Sequence, residues 1–299
     1  MPRGYTDEAV DQARAQTSRS PYNGPLRDRC GRRVREPGAA AGFYRVYMAH
    51  NRHMRAFACM MSGRSAEATE SIRAMIEEIP AGFLKENAAI VDGFIASPFE
   101  VHVRFGRWNG MLSEPEPAEH FPISRAIWRF ARATSLAALG RQAEARAEQE
   151  AFRAAKARVS EQAFFGNNAA QDLLAIAEEQ LEGELLFREG KREEAIAHLR
   201  AGVKREDALR YDEPPDWIIP VRHALGAALL ASGKAGDARA VYEEDLKRWP
   251  ENGWALKGLE MSLRAENRPA EADDAAATFA KVWAGADMET GSSCLCLPK

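Results

Sequence analysis

Residues 231–238 read ASGKAGDA, and residues 265–272 read AENRPAEA. The two phrases share one layout. A helix runs out, a glycine or asparagine stands where the chain turns through the left-handed region, and a new helix opens with alanine at a fixed offset. Gly233 and Asn267 are 34 residues apart. The phrase recurs upstream as MSGRSAEA at 61–68, ALGRQAEA at 138–145 and REGKREEA at 188–195, and RFGRW at 104–108 adds a turn at Gly106. Gly106 and Gly140 are again 34 apart, whereas the remaining steps are 43, 50 and 43. Those longer steps predict longer helices or inserted loops. Self-similarity at a fixed period of this size marks a stacked array of helix pairs.

From Gly42 onward the chain is rich in alanine, leucine, glutamate and arginine, with apolar residues three and four apart. That spacing predicts amphipathic helix after helix, and no stretch alternates as a strand. Small residues stand where paired helices must cross closely: Ala56, Ala133, Gly183 and Gly226 in first helices, and Ala68, Ala145, Ala195, Ala238 and Ala272 in second helices. The predicted fold is therefore all-α, an α-solenoid of about six helix-turn-helix repeats over residues 41–285. Residues 1–40 carry eight arginines and five acidic residues with almost no periodic apolar face. Such a segment buries too little surface to offset its ordering entropy, so a disordered arm is expected there. Residues 286–299, ending SSCLCLPK, read as a flexible tail with a Cys-x-Cys pair.

Composition narrows the function classes. A net charge of -3 gives no broad field for nucleic acid. No apolar run approaches the roughly 18 residues that span a bilayer. The N-terminus shows no apolar targeting core, so a cytoplasmic protein without a membrane partner is expected. Four cysteines, Cys30, Cys59, Cys294 and Cys296, are too few and scattered for a disulfide framework.

The register, the Gly63-to-Pro80 and Gly233-to-Pro250 steps of 17, and the small crossing residues resemble the tetratricopeptide repeat family over roughly residues 43–284. More narrowly, HNRH at 50–53, RFGRW, YDEPPDW at 211–217 followed by PVR, and the closing SSCLC look like a set of bacterial repeat proteins. The resemblance implies a concave groove lined by first helices, at fixed positions of each repeat. Carried over residue by residue, these are His50, His53, Phe57, Met60 and Met61, then Glu100 and Arg104. Further along they are Gln180, Glu184, Phe187, Arg188 and His223, then Trp254, Lys257, Met261 and Arg264. Aromatic, methionine and arginine groups furnish peptide-binding surfaces. The leading expectation is thus a scaffold that binds a peptide or protein in that groove, without catalysis of its own. Association with further copies of the chain stays open.

The rival expectation is a metal-binding or metal-dependent protein. His50 and His53 share a helix face, and such a pair can hold Zn or Cu. Cys294 and Cys296 can clamp a soft metal or form a disulfide. A helix cap at His50 or Asn51 and an ordinary groove position for His53 explain the pair without a metal, and that reading is preferred. Trp217 in the proline-rich YDEPPDW stretch is expected to plug the space between layers, with Asp212, Glu213 and Asp216 as an acidic rim. No phosphate loop, H-E-x-x-H or G-x-S-x-G signature is present.

Overall fold

In the computed structural model, residues 41–77 and 79–297 are described, with side chains from Met48 onward. The arm expected over 1–40 lies outside these residues. Six helix pairs follow one another. They are α1 (Ala41–Met61) with α2 (Ser65–Glu77), α5 (Ser97–Arg104) with α6 (Trp108–Leu112), α7 (Pro122–Ala138) with α8 (Gln142–Lys156), α9 (Ala170–Arg188) with α10 (Arg192–Asp207), α11 (Val221–Ala231) with α12 (Ala235–Arg248), and α13 (Gly253–Ala265) with α14 (Pro269–Val282). The turn inside each pair is at Gly63, Gly106, Gly140, Gly190, Gly233 or Asn267, and all six have φ between 58° and 82°. Left-handed backbone costs glycine nothing and asparagine little, which is why these residues stop each first helix. Helices consecutive in the chain pack on one another, within pairs and from one pair to the next, as in an α-solenoid.

The irregular steps hold inserted elements. The first 43-residue step contains two short helices, α3 (Ala81–Glu86) and α4 (Ala88–Ile95). The 50-residue step contains a hairpin of β1 (Phe164–Phe165) and β2 (Asn168–Ala169), too short for strand alternation to register in sequence. The second 43-residue step contains the loop 208–220. These inserts pack on one another. The Phe165 ring lies on Gly93, where an added Cβ would come within 2.3 Å of it. The Asn168 amide accepts from Arg210 N–H at 2.7 Å and donates to Asp216 at 2.6 Å. Trp217 is fully buried, edge-on to Phe130. Asp216 lies buried at 3% exposure instead of forming a rim.

The array curls until its last pair meets its first. Trp254 Nε1 donates to Met60 O at 2.7 Å, Phe57 packs edge-on against Trp249, and Trp283 lies over both Gly63 and Gly253. Asp287 accepts from the Ser65 and Ala66 amides at 2.7 Å each, supplying the orphan donors that open α2. The segment expected to be a flexible tail is therefore built in through residue 297, with Ser293, Cys294, Cys296 and Leu297 buried. Arg104, Arg188 and His223 on the inner helices hold it there, through bonds that span 70 to 189 residues of sequence.

One outer residue reaches the interior. Tyr242 on α12 passes between Gly226 and Gly258, where an added Cβ would come within 2.3 Å and 2.2 Å of its ring. Gly226→Ala is expected to lower stability by about 1–3 kcal/mol through overpacking, read by urea unfolding. A change within about 0.5 kcal/mol would show that the ring can move aside.

Candidate functional site

The interior of the curl is a polar core wrapped around the C-terminal segment. Four inner helices and one outer helix build it. Arg104 ends α5, Gln180, Glu184 and Arg188 occupy successive turns of α9, His223 opens α11, Trp254 opens α13, and Tyr242 enters from α12. Residues one turn apart share a face, so the α9 trio points into the curl as a stripe.

The tail is held largely by its main chain. Arg104 Nη2 donates to Ser293 O at 2.8 Å. Arg188 donates to Cys296 O from both Nε and Nη2. Ser293 Oγ donates to His223 O at 2.9 Å and lies 2.6 Å from Tyr242 Oη. The Cys296 amide points at Cys294 Sγ at 3.1 Å, and the two cysteines are joined in a disulfide.

Electrostatics at this core follow from burial. The Arg104 guanidinium stacks 3.8 Å over the Trp254 ring. Desolvation pulls its pKa down to about 9, against the attraction of Asp245 and Glu184. Arg104 Nη1 donates to His223 Nδ1, and His223 Nε2 faces both the Asn252 amide nitrogen at 2.6 Å and Asp245 at 3.3 Å. Burial lowers the His223 pKa, which favours the neutral imidazole, against the pull of Asp245. The Asn252 amide donates to Asp245 at 2.7 Å and completes the cluster.

Glu184 is fully buried. Gln180 donates to its Oε1 at 2.9 Å, while Glu184 Oε2 and Gln180 Oε1 have no partner. Desolvation raises the Glu184 pKa to about 7, opposed by the Gln180 hydrogen bond and by Arg188. One oxygen of Glu184 and the sulfurs of Cys294 and Cys296 lie within 4.8 Å of one another. Among the described residues this is the one group of three metal-ligand side chains.

The other candidates from sequence are placed differently. His50 is exposed and His53 is buried, its ring edge-on to Phe94 at 5.6 Å. Burial, then the neighbouring His50, lowers the His53 pKa to about 3. No third ligand of the described residues joins that pair, and they do not group with the cysteines. Met60 and Met61 are core residues of the closure, beside the buried Cys59, and Phe57 meets Trp249. Lys257 and Arg264 both pair with Glu260 on their own helix, at 2.9 Å and 3.0 Å. They do not reach the tail. Glu100 is fully buried, and its oxygens approach the Ile218 amide without completing a hydrogen bond.

Tyr242 and Ser293 did not stand out in sequence. The available signal was the pair of glycines on α11 and α13, since two gaps facing one outer helix require a large side chain between them. Comparison with protein families, curated proteins and solved structures gives no match to this chain.

Proposed function

We propose that the chain is a tetratricopeptide-type scaffold whose concave face binds an extended peptide, with its own C-terminal segment as the occupant in this state. The observation that supports this reading is the way the tail is gripped. Two arginines from different repeats each donate to a main-chain carbonyl of the tail, at Ser293 and Cys296. Charge-assisted bonds to a peptide backbone fix its path and register, while the pockets around alternate side chains select among sequences. Cys294 and Leu297 bury their side chains here, so the groove favours small and aliphatic groups. A partner of the same chemistry, an extended segment with small thiol or aliphatic side chains, would compete with the tail.

The test removes residues 292–299, which keeps Asp287 and the closure, and adds the synthetic peptide SSCLCLPK in trans with a fluorescent label. Saturable binding is expected, weakened at least about tenfold by Arg188→Ala, because one charged hydrogen bond is worth roughly 1.5–3 kcal/mol. Full-length Arg188→Ala chain is expected to lose its tail to carboxypeptidase faster than the wild type. Absent binding by a truncated chain that keeps its helical signal, or binding indifferent to Arg188→Ala, would reject the reading.

A further inference from the structure

We infer that Cys294 and Cys296, when reduced, form with Glu184 a site for a thiophilic divalent cation of the Zn(II) class, and that the disulfide is its closed form. The inference rests on the docked tail proposed above. It begins from an unsatisfied group. A carboxylate oxygen with no exposure and no completed hydrogen bond is costly to bury, and Glu184 Oε2 is one, with the Thr134 hydroxyl close to the carboxylate and likewise without a completed bond. One turn back on the same face, Gln180 Oε1 is also buried without a partner. Two empty acceptors therefore stand on one helix face beside a pair of sulfurs. A cation on Glu184 Oε2 would answer the first, and a water on that cation would donate to the second.

The donor set fits a borderline cation. Zinc accepts thiolate sulfur and carboxylate oxygen together, and three protein ligands leave its fourth position for water. A Cu(I) ion would use the two sulfurs and gain little from the carboxylate. Charge is also accommodated. Two thiolates and one carboxylate carry three negative charges, a divalent cation leaves one, and the Arg188 and Arg104 guanidiniums both attract Glu184.

Opening the site needs a reductant, here an external dithiol. It gives two electrons and two protons to the Cys294–Cys296 bond, forming two thiols while it closes to its own disulfide. Metal binding then displaces both thiol protons to solvent. Oxidation by a disulfide of the medium runs the sequence backwards and releases the ion.

The test uses the full chain reduced with dithiothreitol under argon, desalted, and titrated with Zn(II) against the chromophoric chelator 4-(2-pyridylazo)resorcinol. One equivalent retained per chain is expected, lost in the C294S/C296S double variant and absent from the oxidised protein. Glu184→Gln is expected to weaken binding about tenfold or more, a difference of about 1.4 kcal/mol. Failure to retain zinc after reduction overturns the inference, as does retention by the double variant. Zinc binding unaffected by Glu184→Gln and matched by the isolated SSCLCLPK peptide overturns it too, and shows that the tail is not docked. Loss of zinc with intact peptide binding in trans strikes the metal site alone.

Discussion

Trp254→Ala is expected to cost about 3–5 kcal/mol in urea unfolding, the range for emptying a large aromatic site. Trp254 is fully buried and serves three contacts at once. Its Nε1 donates to Met60 O, its face carries the Arg104 guanidinium, and its edge meets Trp283 at 5.2 Å between centroids. Removing it leaves the Met60 carbonyl without its donor and the buried Arg104 without its cover. Trp254→Phe keeps most of the apolar contact and loses the N–H bond, so a cost of about 1–2 kcal/mol is expected. Hydrogen exchange should locate the difference, with the alanine variant losing protection at the end of α1 and the start of α13. A cost below about 1 kcal/mol for the alanine variant would mean that the first and last pairs are held together by other groups.

The second large effect is a pH dependence. Burial, with Asp216 next in effect, raises the Glu100 pKa from 4.5 to about 8. The folded chain then holds a proton at Glu100 that the unfolded chain has released, across the window between those values. The stability that protonated Glu100 supports is fully present below pH 4.5 and is lost as pH rises toward about 8. The slope is about 1.4 kcal/mol per pH unit for one group in mid-window. Asp216 and Glu184, each raised to about 7, and Glu206, raised to about 8, act in the same direction. Glu100→Gln mimics the protonated side chain. The variant is therefore expected to match the wild type near pH 5 and exceed it by a few kcal/mol at pH 8.5. Urea midpoints across that range decide it, and parallel curves for the two proteins would refute the assignment.

The difference between what was legible in sequence and what was not follows the range of the forces involved. Gly63, Gly106, Gly140, Gly190, Gly233 and Asn267 mark turns through their own backbone preference, so the pairs and their number could be read locally. The long steps announced inserts at the right places. That α4, the 164–169 hairpin and the 208–220 loop would pack on one another depends on contacts such as Asn168 to Asp216, between residues 48 apart. The groove positions were read as if the array were open. Arg104, Glu184, Arg188, His223 and Trp254 do converge on one core, but what they converge on is the tail. Lys257 and Arg264 have Glu260 three and four residues away on the same helix, a local pairing that competes with any inward role. The histidine pair looked chemical because of its neighbours. Those neighbours, Cys59, Met60 and Met61, are buried against the closing end of the array.

No helix of the described residues is long and apolar enough to cross a membrane. The all-helical repeat architecture presents the tail, the arginines and the carboxylates to one another only because the array curls back on itself.

That curl also changes how the molecule should come apart. A linear stack frays from either end, one unit at a time, because each unit meets only its neighbours. Here the bonds from Asp287 to Ser65 and from Trp254 to Met60 span 222 and 194 residues of sequence. Each such bond ties the fate of the first layer to that of the last. Denaturation is then expected to be concerted, with no sequence of partly melted forms. Refolding should be limited by the step that brings the two distant ends together, since the entropy of so large a loop is lost before any reward is gained.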